Sequence, residues 1–251
     1  MSCGNELTTL RLVVGYSAVV NSVDDPCAAI VRERDRDRWL ATLYAPVGVR
    51  PALFALHALD LELGQVVATT TETMLGEIRL AWWREALTKL DTAPPPAQPV
   101  LAALAAAALP LGVKGQALEP LEDAFLSLLI DERLAGKLLD DYLERRGGTL
   151  FGALATALGV AQPSARALGR VWALGQLVRP GIKAPPVDPD DARRLAAIAL
   201  PDKLAAPLRP LAALAGFARR DVVRALGDRP VGLPGGLARQ AQLGWRVLTG
   251  R

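Results

Sequence analysis

From residue 25 onward, apolar positions recur at helical spacing, punctuated by proline and glycine, and no stretch alternates as a strand would. Asp24-Asp25-Pro26 reads as a helix start, an acidic cap followed by proline in the first turn. The helix it opens carries the charged run Val31 to Arg38, then Trp39 to Ala45, and ends at Pro46 and Gly48. Within that run the i,i+4 pair Glu33 and Asp37 alternates with arginines, which predicts a salt-bridged surface. Pro51 opens a second helix, Ala52 to about Ala68, apolar on nearly every face, and such a helix belongs in the middle of a bundle. Phe54, Leu56, Leu59, Leu61 and Leu63 are its predicted core.

After a turn at Thr69 to Thr71, a third helix runs from Glu72 to Leu90 and holds Arg79, Trp82, Trp83 and Arg84. The segment Ala93 to Pro99 is a stiff linker inside the domain, because helical pattern resumes at once. Helices follow to about Leu109, from Pro120 to Leu139, from Thr149 to Leu158 and from Ala165 to Val178, with a bend at Gly147-Gly148. Two more span Asp190 to Ala199 and Leu208 to Leu226. The pattern thus predicts one all-α domain over residues 24–226. A ragged N-terminal tail, 1–23, and a Gly/Pro-rich, loosely packed tail, 227–251, flank it.

Composition narrows the function. A net charge of +3 with both signs interspersed forms no basic stripe, which argues against nucleic acid. The most apolar stretch, Val100 to Val113, contains Pro110 and falls short of the ~20 residues a membrane span needs. Membrane contact is expected to be peripheral at most, and no amphipathic surface helix stands out. A cytoplasmic place, or one peripheral to a membrane, follows. Cys3 and Cys27 make no disulfide framework, and a single histidine, His57, gives no support to a zinc site or a Ser/His/Asp triad.

Three stretches carry a family resemblance. Arg36-Asp-Arg-Trp-Leu-Ala-Thr-Leu-Tyr-Ala-Pro46, with Arg50 and Ala52 to Leu59, resembles the opening of the squalene/phytoene synthases. Gly76 to Leu87 is similar to that family's Arg-x-x-Trp-Trp-Arg helix, and Leu139-Asp-Asp-Tyr142 through Gly159 is a weaker third match. The resemblance implies an isoprenoid-synthase-like bundle of antiparallel helices around a central cavity. In active members two Asp-x-x-x-Asp motifs face each other there. Residues i and i+4 share a helix face, so both carboxylates reach one magnesium ion that neutralises the leaving diphosphate.

At the matching positions this chain has Leu61 and Gln65 on one side, Pro180 and Ala184 on the other. The pattern resembles a divergent branch of the family, which includes a mitochondrial complex I assembly factor and whose members are thought to be non-catalytic. The resemblance therefore implies a protein that binds a lipid or isoprenoid ligand, or a protein partner in respiratory-complex assembly, with no cofactor. The alternative is an active head-to-head prenyl transferase with a rearranged, magnesium-dependent site. Its metal pair would be Asp140 and Glu144, one helical turn apart, although the plainer reading is a solvated helix end.

The candidate cavity residues are His57, Asp60, Glu62, Arg79, Trp82, Trp83 and Arg179. Asp60 and Glu62 are two apart, so they point to opposite sides of the helix. A buried acid there needs a partner, and Arg79 or Arg84 on the next helix is the expected one. His57 reads as a buried neutral histidine. Adjacent tryptophans cannot share a helix face, so at most one of Trp82 and Trp83 points inward.

Overall fold

Proline sets the starts of the helices. Pro26, Pro99, Pro120 and Pro189 each occupy a first helical position, where the missing N–H would have had no partner anyway. In the computed structural model, which describes residues 25–160, 163–180, 183–198, 204–232 and 235–250, every element is helical and no strand forms among them. Leu134 and Val187 make one isolated bridge. The expected N-terminal tail lies outside the described residues.

The helices are α1 (Pro26–Arg34), α2 (Arg36–Thr42), α3 (Arg50–Thr69), α4 (Thr73–Lys89), α5 (Pro99–Ala103) and α6 (Pro120–Ile130). They continue as α7 (Gly136–Leu143), α8 (Thr149–Ala157), α9 (Ser164–Leu177), α10 (Pro189–Ala196), α11 (Arg209–Leu226) and α12 (Leu237–Thr249). α3 is the hub. It touches α1, α2, α4, α5, α6 and α8, and Phe54, Leu56, Leu59 and Leu63 are all at most 1% exposed. Leu61 is the exception among the predicted core residues, half-buried because it faces a cavity.

Five expectations change. The first helix is two helices, because Asp35 leaves the helical region (φ −146°) and caps α2 by accepting from the Arg38 N–H at 3.1 Å. The charged run is a surface only in part: Arg32, Glu33, Arg34 and Arg36 are exposed, but Asp35, Asp37 and Arg38 are buried. The helix from Pro120 stops at Ile130 and restarts at Gly136. The expected loose tail contains α12, which packs on α11 and buries Arg239 and Leu243.

Gly147 and Gly148 do not bend the chain. They sit in a π-helical turn, Glu144–Gly148, that runs directly into α8. Gly147 faces Gly169 of α9, and a Cβ on either would overlap the other's carbonyl. The glycines are there for close helix approach, a use that sequence alone confuses with a turn.

Candidate functional site

The break at Asp35 aims two side chains inward from the α1–α2 junction, and α3 supplies a third. Asp60, fully buried, accepts from Arg38 Nη1 at 2.8 Å and from Arg146 Nε and Nη2 at 2.9 and 3.0 Å. Asp35 accepts from Arg38 Nε at 2.8 Å and from Arg179 Nη1 at 2.6 Å. One chain of charges thus ties α1, α2, α3, the π turn and the end of α9. Arg38 and Arg146 both lie over the Trp172 ring, at 4.9 and 5.4 Å from its centre, and Arg146 donates to Tyr142 Oη at 2.7 Å.

Burial by itself would raise the Asp60 carboxyl, but the charges of Arg146 and Arg38 outweigh it and hold the group below its usual range. Asp35 behaves alike, with Arg179 and Arg38 overcoming burial. A second network lies behind the first. Arg239 of α12 donates to Asp37 at 2.6 Å and to both oxygens of Asp221 at 2.5 and 2.6 Å.

The first network forms one wall of a cavity of about 600 Å³. Five cationic side chains line it, Arg34, Arg38, Arg146, Arg179 and Lys183, against two carboxylates, Asp35 and Asp60. Leu61, Val67, Phe125 and Leu128 supply its apolar lining, with the Arg146 guanidinium over the Phe125 ring at 4.6 Å. Gln176 also lines the space, buried, with no hydrogen-bond partner on its Nε2.

Comparison with known proteins places this architecture. The family model for squalene/phytoene synthase matches residues 31–180, well over half of the chain. The chain belongs to the squalene/phytoene synthase family. A dehydrosqualene synthase solved in complex with a ligand superposes with a TM-score of 0.66, covering 89% of this chain and 94% of that one at 14% identity. That similarity is one of fold. NADH dehydrogenase (ubiquinone) complex I, assembly factor 6, is similar in sequence. The human protein is 34% identical over 77 residues (31% of this chain, 23% of the relative). The mouse protein is 30% identical over 145 residues, 53% of this chain and 40% of the relative. The matched parts thus span well under half the length of these curated relatives.

Of the positions that the resemblance matches to the family's aspartates, Leu61, Gln65 and Pro180 line the cavity. Among the candidates, Asp60 and Arg179 face it too. Asp60 is paired as the sequence demands, but by Arg38 and Arg146 rather than by α4. Arg79 is on the outer side of α4, and Arg84 is taken by Glu119, Glu122 and Asp123. Glu62 points away from Asp60 and meets Arg34 at 2.9 Å. Trp83 is in the core, Trp82 is 44% exposed, and neither lines the cavity. His57, three residues before Asp60 on α3, is buried and does not line the cavity, and burial first and the nearby Arg38 charge second push its pKa down to about 3. Asp140 and Glu144 lie outside the cavity, paired with Arg170 at 2.8 Å and Arg166 at 2.5 Å.

Sequence reading missed Arg34, Asp35, Arg38, Arg146, Gln176 and Lys183. A charged run with i,i+1 alternation looks like a solvated face, and nothing local reports that the run is crossed by α3, α9 and α12.

Proposed function

We propose that this chain is a non-catalytic member of its family that holds an isoprenoid or related lipid in the central cavity and serves respiratory-complex assembly. The observation that carries the reading is the exchange of charge sign in the cavity wall. Magnesium needs several free hard oxygens. The two carboxylates that line this cavity, Asp35 and Asp60, are each engaged by two arginines, and Leu61, Gln65 and Pro180 stand at the positions matching the aspartates. The donor set does not suit a magnesium ion. It suits an amphiphile with an anionic end near Arg34, Arg179 and Lys183 and an apolar body against Phe125 and Leu128. Similarity to complex I assembly factor 6 supports the assembly role.

The test is incubation of the purified protein with farnesyl and geranylgeranyl diphosphates, with magnesium or with chelator. We expect thermal stabilisation by the lipids that is the same in both conditions, and no condensed product. Turnover that magnesium requires and Asp140→Asn abolishes would establish the prenyl transferase instead. Absence of any stabilisation would remove the cavity ligand and leave the protein-partner role alone.

A further inference from the structure

α12 presents an apolar face that none of the described residues covers. Leu237, Trp245 and Leu248 are 84%, 66% and 78% exposed, and Ala238 and Ala241 are exposed beside them. At about 100° per residue these five fall within a sector of about 100°, while Arg239 and Leu243 point the opposite way into α11. The helix is therefore amphipathic, with its polar flanks and buried side inward and its greasiest side outward.

The charge around this face has one sign. α11 and α12 together hold six arginines, Arg209, Arg219, Arg220, Arg224, Arg239 and Arg246, and a single acid, Asp221. Asp221 is consumed by Arg239. Among the described residues, Arg209, Arg219, Arg220 and Arg246 have no carboxylate within salt-bridge distance. Three of them bridge the two helices through neutral acceptors instead: Arg209 reaches the Val247 carbonyl at 3.1 Å, Arg220 the Gln242 Oε1 at 2.5 Å, and Arg246 the Ala212 carbonyl at 3.4 Å. Burial first and neighbouring arginines second weigh against the charge of Arg220 and Arg246, which an external anion would relieve.

We propose that α12 is an interfacial helix that lies on an anionic lipid surface, with Leu237, Trp245 and Leu248 inserted among the acyl chains and the unpaired arginines at the headgroup level. Apolar insertion alone would suit a second protein, but an apolar stripe bordered by arginines that lack acids fits a bilayer carrying negative lipid. Tryptophan is the side chain best suited to the boundary, with its ring apolar and its N–H wet. The segment leading into α12 also lines the cavity, at Val231 and Gly232. The inference does not depend on what the cavity holds.

Flotation of the full chain with phosphatidylcholine vesicles, with and without 30% phosphatidylglycerol, tests it. We expect binding only with the anionic lipid, weakening as salt rises, and a blue shift of tryptophan emission that Trp245→Phe removes without removing binding. Trp245→Glu with Leu248→Glu should lower the partition coefficient at least about tenfold, and Arg219→Gln with Arg220→Gln about tenfold on anionic vesicles alone. Circular dichroism and the melting temperature should be unchanged in Trp245→Phe and in the Trp245→Glu, Leu248→Glu variant. Equal binding by the Trp245→Glu, Leu248→Glu variant would overturn the proposal. So would a concentration-dependent dimer that the same substitutions dissolve, or a marked loss of stability in them, since either would show the face to be covered by protein.

Discussion

Asp60 and Asp140 are the same residue, each on a helix and each paired with arginine, yet they belong to different worlds. Asp60 is at 0% exposure with three guanidinium hydrogen bonds, and Asp140 is 37% exposed with one close guanidinium contact. The π turn Glu144–Gly148 separates them: Arg146 points inward to Asp60, while Glu144 joins Asp140 at the rim. What differs is the water each would find if its partner were removed. Breaking a pair in the interior strands a charge that has nowhere to go, whereas at the rim solvent takes over.

The largest effect should come from Asp60→Asn, which keeps the volume, leaves Arg146 buried without a counterion and leaves Arg38 with Asp35 alone. We expect a loss of about 3–5 kcal/mol in urea unfolding. A loss under 1 kcal/mol would mean that water reaches the site. Next comes Gly147→Ala, which must push the π turn off α9 and move Arg146 with it; about 1–3 kcal/mol is expected from overpacking. Adding Asp60→Asn should then cost less than it does alone, because the two changes damage one network.

The third prediction is in pH. His57 titrates at about 3 in the folded chain against 6.5 unfolded, so its folded-state pKa is depressed. Its contribution is complete above pH 6.5 and declines as pH falls toward 3, by about 1.4 kcal/mol per pH unit. Asp60 and Asp35, also depressed, contribute above their unfolded values and lose it only in stronger acid, below pH 3.8. Asp37 and Glu122 act with the opposite sign, since burial raises their carboxyls. The difference between wild type and His57→Gln in urea midpoints from pH 7 to 4.5 isolates the histidine; a flat difference would refute its burial as the neutral form. The smallest effect should be that of Asp140→Asn, under about 1 kcal/mol and vanishing in high salt.

The helical architecture and the hub role of α3 were legible because an all-round apolar helix of this length has only one place to go. The requirement that Asp60 be paired was legible too, since it is a matter of cost. The partner was not. Arg146 is 86 residues from Asp60 along the chain, and its own neighbourhood, Glu144 to Gly148, looks like a polar helix end. Trp172, whose ring lies beside both Arg38 and Arg146, stands in a segment that carries no local mark of the site at all. α12 was hidden for another reason. The glycines and prolines before it dominate the composition of residues 227–251, and its helical pattern needs Arg239 to be counted as buried.

Arg239 also sets a clock. Asp37 is near the beginning of the described chain, and the arginine that neutralises it comes 202 residues later. At ~5–20 residues per second of synthesis, Asp37 waits on the order of 10–40 s for its partner to leave the ribosome. Until then Asp37 has only the more distant Arg179 guanidinium, at 3.6 Å, and α2 docks with that carboxylate less well neutralised. We therefore expect stalled nascent chains that end before Arg239 to be cut readily by protease across α1 and α2, and chains extended past Thr249 to resist it. Folding of the amino-terminal third would then be held back until the last helix has been made.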